Sequence, residues 1–307
     1  MINILKTLKS CFNYIFVRDT WSLGYRFNKA EVLPLDAHKV FTIIKPNIRW
    51  WFADPFCIKY ADQYYIFCEM LDCYNGIGSI GVIEITDGKA GKVKQVIKED
   101  FHMSYPNVFQ YNDSIYMIPE TRKGRQIRLY KAVEFPYKWE LDTVLLDNIE
   151  AVDSTILTND NTEYLFTYDV SNDYTLRIYE IDMKNKKVCK DSYIEIPDRN
   201  MNLRPAGNFF RYKNKIIRPS QFNKNSYGER LIFSSVIDIS DKGYQENEVC
   251  SLSASQVKTN TNMVFSRIHT INKADDMEVV DLLYSKFCIY KPFLLFVRVI
   301  NKIRKNL

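Results

Sequence analysis

Histidine is scarce in this chain, three in 307 residues, and its seven cysteines include no C-x-x-C pair. Those absences exclude a zinc-finger type of site, which needs clustered thiolate and imidazole ligands. An odd cysteine count without a spacing framework points to reduced thiols and a cytoplasmic chain. Gly and Pro, ten of each, are too few for a fibrous or disordered protein. No apolar run approaches the roughly 20 residues that cross a bilayer as a helix. Lys6 and Lys9 interrupt the opening apolar stretch, which also lacks a small-residue cleavage motif, so no cleaved signal peptide is expected. G-x-G-x-x-G, P-loop and G-x-S-x-G motifs are missing, and with them the signatures of dinucleotide, nucleotide and α/β-hydrolase chemistry. D-x-D, the metal–diphosphate clamp of many nucleotide-sugar transferases, is missing as well. The expectation is therefore no cofactor and no metal.

The net charge of +5 is mild, and Lys302, Arg304 and Lys305 crowd the last six residues. A nucleic-acid groove would need a basic stripe across the fold, so no nucleic-acid partner is expected. Localised contact with an anionic membrane surface fits better.

What the chain does hold is strand material, 46% hydrophobic and 14% aromatic with 21 Tyr and 19 Phe. It also repeats. ADPFCI (53–58), SYPNVF (104–109), VDSTIL (152–157) and LRPAGN (203–208) recur at intervals of 51, 48 and 51 residues, counted between Asp54, Tyr105, Asp153 and Arg204. A second polar position, Glu69, Glu120, Asp169 and Gln221, closes an apolar run 15 to 17 residues after each. A period near fifty with several short strands per unit is the mark of a propeller blade. Four units are clear, and a fifth is inferred between Phe265 and Tyr284. The fold expected is all-β, a five-bladed β-propeller over 35–285. Residues 1–34 are read as an amphipathic helix and connector. Residues 286–307 are read as a basic amphipathic helix, with Arg298, Lys302 and Lys305 opposite Leu294, Val297, Ile300 and Ile303. Asp87-Gly88 marks a hairpin turn.

Inner strands of a propeller line one channel, so the repeat positions should converge there. A polar group opening an apolar strand needs a partner or a task, since burying it alone costs roughly 2–7 kcal/mol. Asp54 and Asp153, with Glu120, are the candidate catalytic carboxyls, suited to acid–base work on a sugar hydroxyl or glycosidic oxygen. Arg204, Arg218 and His269 are the candidate ligands for an anionic group, because guanidinium binds phosphate or carboxylate as a fork. Ion pairing between Arg204 and Asp153 or Asp54 is the alternative. Tyr105, Gln221 and Tyr227 are candidate sugar contacts.

The ordered string ADPF (53–56), FHMSYP (101–106), IPE (118–120), RLY (128–130), FPxxW (135–139), VDST (152–155), RPAG (204–207), RPSQ (218–221), YG (227–228) and HT (269–270) resembles a known family. That family is the domain at the N-terminus of plant glucosamine inositolphosphorylceramide transferases, related in fold to glycoside hydrolase family 43. The resemblance implies a role in making a surface polysaccharide or glycolipid. It also implies that Asp54 matches a hydrolase base and Asp153 the aspartate that tunes the acid. Arg204 stands where a hydrolase supplies its glutamate acid, which favours a phosphate-bearing sugar. The function expected is a glycosyltransferase-like enzyme acting on a sugar or sugar-phosphate ligand, cytoplasmic and peripheral on the inner face of the membrane, among glycan-assembly proteins. The alternatives are a glycoside hydrolase or phosphorylase of the propeller type and a non-catalytic glycan-binding module.

Overall fold

The computed structural model describes residues 2–29, 39–240 and 243–305, and these form five antiparallel sheets joined into an all-β five-bladed propeller. Blade one runs through Trp50–Tyr60, Gln63–Asp72 and Ile77–Thr86, and blade two through Ser104–Tyr111, Ser114–Glu120, Gln126–Glu134 and Lys138–Asp147. Blade three runs through Ala151–Asn159, Thr162–Asp169, Thr175–Asp182 and Lys187–Pro197. Blade four opens with two short pieces, Arg204–Pro205 and Phe210–Tyr212, before Lys215–Phe222, Arg230–Ser240 and Gly243–Leu252. The first strand of each unit is innermost, so the repeat positions face one axis.

Local chemistry explains the punctuation. Two-residue turns occur at Ala61-Asp62 (φ 47° and 61°) and at Asp87-Gly88 (φ 51° and 72°). Both central residues are left-handed there, as a turn matched to strand twist requires. Apolar side chains alternating along the strands then meet those of the next blade. Each blade junction holds an apolar cluster among the described residues: Phe56 and Phe67 with Val108 and Met117 between blades one and two, for example, and Leu165 with Ile118 and Leu129 between two and three. Burying each such side chain is worth about 1.5–3 kcal/mol, so blade-to-blade packing carries much of the stability.

Blade five corrects the reading of residues 1–34. Its inner strands, Ile271–Ala274 and Met277–Phe287, come from late in the chain, but Val17–Phe27 and Thr42–Ile44 complete it. Val17–Phe27 pairs along its whole length with Met277–Phe287, setting Trp21 opposite Leu283 and Leu23 opposite Asp281. It is therefore a closing strand rather than a connector. Its alternation of Trp21, Leu23, Tyr25 and Phe27 carried the period-two signal. The end of the expected connector, 30–34, and the first residues of the expected propeller, 35–38, lie outside the described residues.

Helices Ile2–Phe16 and Lys291–Lys305 flank the propeller. The second is turned differently from expectation. Leu294 is buried against the protein and Arg298 lies against Gly76, while Phe293, Phe296, Val299 and Ile303 face outward. No described helix is long and apolar enough to cross a membrane.

Candidate functional site

Asp54, Tyr105 and Asp153 have φ of 49°, 44° and 51°, each in the left-handed region that non-glycine residues rarely adopt. At each one the pairing of the inner strand slips by one residue, between Ala53 and Phe56, Ser104 and Asn107, and Val152 and Thr155. A bulge of this kind re-aims one side chain. Pro55 and Pro106 follow it without loss, because the bulge demands no ladder N–H there. The repeat is thus a repeated bulge pointing a side chain into the channel.

Asp54 is 5% exposed. Its Oδ2 accepts the Tyr105 amide (3.2 Å), and its Oδ1 accepts Thr270 Oγ1 (2.9 Å) and stands 3.2 Å from His269 Nε2. The other face of His269 meets Asp281, with Nδ1 2.6 Å from Oδ2, close but off the hydrogen-bond axis. Asp281 Oδ2 also accepts the Asp54 amide, and its Oδ1 accepts the amides of His269 and Thr270. Trp21 covers the imidazole at a centroid distance of 4.2 Å. Burial opposes a charge on His269, but Asp281 and then Asp54 outweigh it and raise its pKa above the ordinary value. The His269 imidazolium thus lies between two carboxylates, Nε2 facing Asp54 and Nδ1 facing Asp281.

Asp153 sits across the channel. Its Oδ2 takes Arg204 Nε at 2.5 Å and Gln221 Nε2 at 2.9 Å, and Gln221 also donates to the Pro205 carbonyl. Arg204 and Tyr227 form the rim, with the guanidinium carbon 5.3 Å from the Tyr227 ring centre. Tyr227 is 40% exposed and meets His269 edge-on at 5.0 Å.

Glu120 ends its strand opposite Ser104, and Glu69, inside Gln63–Asp72, lies opposite Ala53. Glu120 keeps part of its surface open. Desolvation is still the largest influence on it, and with Asp153 and Asp54 nearby it is pushed up to about 8 although Arg204 pulls it down. Desolvation likewise raises Asp54 to about 6, opposed by His269 and reinforced by Asp153 and Asp281. Glu69 is raised well above the usual carboxyl range by burial and then by Asp54 and Glu120. His102 Nδ1 accepts the Gly78 amide at 3.0 Å, so its proton resides on Nε2, 3.3 Å from Glu69 Oε1. Burial, and then Lys123, lowers its pKa, which keeps it neutral.

The structure does not bring every expected residue to this channel. Arg218 is fully buried in blade four, clamped by both oxygens of Glu246 at 2.6 Å and donating to the Leu203 carbonyl. It is a structural cation, held inside blade four and away from the channel. Tyr105 is fully buried too, its ring edge-on to Phe56 and its hydroxyl accepting the Gly207 amide at 2.7 Å beside Thr155. It ties blades together and cannot touch a sugar. Gln221 positions Asp153 rather than a ligand. Asp169 pairs with Ala151, not Val152, and turns away to Ser171 and Arg177. Gly207 (φ 138°) must be glycine, because a Cβ would lie 1.9 Å from the Ile271 carbonyl oxygen.

Asp281, Thr270 and Trp21 are the residues that sequence reading missed. The signal for Asp281 was a carboxylate inside the apolar run EVVDLLY. Among the described residues, Asp54, His269 and Asp281 also form the one group with ligand atoms close enough, within 4.8 Å, to hold a metal ion. A cation there would have to replace the His269 proton, since both ring nitrogens face carboxylates.

A model of the family described as glucosamine inositolphosphorylceramide transferase 1, N-terminal, matches residues 44–281. The chain is similar to glucosamine inositolphosphorylceramide transferase 1 of Arabidopsis thaliana, 32% identical over 219 residues, covering 68% of this chain and 28% of that protein. The protein of the same name from Oryza sativa subsp. indica is 28% identical over 256 residues, covering 74% and 34%. The chain thus spans about a third of the length of these plant relatives or less. Among solved structures it is similar to the catalytic domain of the Coprinopsis cinerea GH62 α-L-arabinofuranosidase, with a TM-score of 0.57 at 12% identity, covering 85% of this chain and 97% of that one. The GH43 endo-arabinanase from Bacillus licheniformis gives 0.55 at 14%, covering 79% and 95%. At such identities the likeness is one of fold, the five-bladed propeller. The match over most of the blades decides the family: this chain belongs to the glucosamine inositolphosphorylceramide transferase 1 N-terminal family.

Proposed function

We propose that the chain binds a sugar at the channel mouth and carries out acid–base chemistry on it in glycan assembly, with transfer to an acceptor hydroxyl as the reaction. The observation that carries this reading is one channel gathering Asp54, paired with His269, and Asp153, paired with Arg204, beside Glu120, where burial pushes Asp54 up to about 6 and Glu120 further, to about 8. Groups driven apart in this way divide into base and acid. Near neutral pH, Asp54 is ionised and can take a proton from an acceptor, while Glu120 retains one for a leaving oxygen. Glu120 thereby supplies the acid that Arg204 cannot, because guanidinium does not release a proton in this range. Asp153, held by Arg204 and Gln221, fixes the charge beside Glu120. If water replaces the acceptor hydroxyl, the same pair performs hydrolysis, so product identity separates the two.

The sugar class follows from charge balance. Glu120 keeps its proton near neutral pH and Glu69 is raised well above the usual carboxyl range, which leaves Asp54, Asp153 and Asp281 against Arg204 and His269, one carboxylate in excess. A phosphate-bearing donor, the expectation from sequence, depended on three converging cations; Arg218 is elsewhere and Arg204 is already on Asp153. A neutral or ammonium-bearing sugar suits the site better. The plant relatives' name contains glucosamine, an ammonium-bearing sugar at neutral pH. Calorimetry at neutral pH with glucosamine, N-acetylglucosamine and glucosamine 1-phosphate tests this. The free amine should bind roughly tenfold more tightly than the other two, the worth of one charge-assisted contact. Tightest binding of the phosphate would restore the phosphate-donor reading, and no binding of any of the three would remove the sugar site.

A further inference from the structure

Two helices that lie together on one side of the propeller have apolar faces turned to solvent. Helix Lys291–Lys305 presents Phe293, Phe296, Val299 and Ile303, each more than half exposed and spaced along a single face. Phe12 of helix Ile2–Phe16 extends the patch, 51% exposed and stacked at 6.2 Å on Phe287, itself 62% exposed. The two helices are held in place, with Lys291 Nζ donating to the Val17 carbonyl and the Cys288 amide to the Phe16 carbonyl. Large exposed aromatics in a fixed, contiguous array are costly in water and mark a contact surface.

Charge identifies the occupant. Residues 1–18 and 286–307 contain nine of the 42 Lys and Arg and none of the 37 Asp and Glu, a net +9, which leaves −4 on the remainder. The two terminal segments that carry the apolar patch are therefore strongly basic in sequence, and Arg298, Lys302 and Arg304 of the second helix are exposed. Beneath the second helix lies a cleft of about 370 Å³ lined by three cations, Arg18, Lys291 and Arg298, against one carboxylate, Asp19, with Trp51 and Leu294. An apolar face bordered by cations, over a cleft that admits an anionic headgroup, matches the surface of a bilayer rich in acidic phospholipid. We infer that these helices dock the propeller on an anionic membrane surface, with the aromatic face in the headgroup–acyl boundary.

The docking also orients the molecule. Asn301 Nδ2 donates to the Tyr74 carbonyl, and Arg298 lies against Gly76. Both contacts are on the turn that follows Gln63–Asp72, the strand whose Glu69 faces the channel. The channel end holding Asp54 and Glu69 is thus the end nearest the membrane.

Sedimentation with phosphatidylcholine vesicles, with and without phosphatidylserine, tests the inference. The intact chain should bind the phosphatidylserine vesicles, and added salt should weaken the binding. Phe293→Ser/Phe296→Ser should bind at least about tenfold more weakly, and Lys302→Glu/Arg304→Glu should lose a similar factor on acidic vesicles only. All four side chains are exposed, so thermal stability should match the parent, and a variant that unfolds early is replaced by Val299→Ser/Ile303→Ser. Failure of the intact chain to bind either vesicle would overturn the inference. So would a dimer in solution that the phenylalanine substitutions dissociate, since a second copy would then cover the patch.

Discussion

Asp281→Ala should destabilise the protein by about 3–5 kcal/mol, more than any other single change in the channel. Asp281 has no exposed surface, yet it accepts three backbone amides, those of Asp54, His269 and Thr270, and holds one side of the His269 imidazolium. Each buried donor left unsatisfied costs about 1–3 kcal/mol, and breaking a buried ion pair from one side costs about 3–5 kcal/mol. The effects share one network, so they do not add. Asp281→Asn keeps an acceptor oxygen while losing the charge, and should fall between parent and alanine variant. Urea unfolding at fixed pH reads the difference as a lower midpoint with an unchanged slope. An alanine variant within about 0.5 kcal/mol of the parent would mean that the channel does not depend on this carboxylate.

The second large effect is on chemistry. Asp54→Asn and Glu120→Gln should each reduce turnover about 10²–10⁴-fold, the range for loss of a positioned base or acid. The pH profile carries the sign. The base must be ionised, so the rate rises through about 6, and the acid must be protonated, so the rate falls through about 8. Residual activity in Glu120→Gln should lose the alkaline limb, and in Asp54→Asn the acidic limb. Nitrophenol release from p-nitrophenyl glucosaminide, with and without an added sugar acceptor, provides the assay. Loss of the same limb in both variants would show that the roles are not divided as proposed.

Much of the propeller was legible because a blade repeats a local pattern. Polar residues at fifty-residue intervals, turn dipeptides and alternating apolar strands are all short-range signals, and they placed Asp54, Asp153 and Arg204 on one axis. Partnership was less legible, because a side chain's partner comes from another blade. Arg218 and Gln221 show how much more could have been read. They are three residues apart on one strand, and since side chains alternate between faces, only one of them could reach the channel. Tyr105 occupies a repeat position yet is wholly buried, its ring edge-on to Phe56 and its hydroxyl reaching Thr155 and the Gly207 amide from other blades. Trp21 and Asp281 were hidden for a topological reason. The fifth blade is assembled from both ends of the propeller sequence, so no single fifty-residue window contains it. Arg204 pairs directly with Asp153, the ion pair that sequence reading held as an alternative to ligand binding.

The central claim is that Glu120 keeps its proton at neutral pH in a channel where Asp54 has lost its own. Infrared titration of the carboxyl stretch, taken as the difference between the parent and Glu120→Gln, tests it directly. The account predicts a protonated carboxyl that persists at neutral pH, disappears through about 8, and is absent from the variant. A difference spectrum in which Glu120 is already an ionised carboxylate below neutrality, titrating in the ordinary glutamate range, would contradict it.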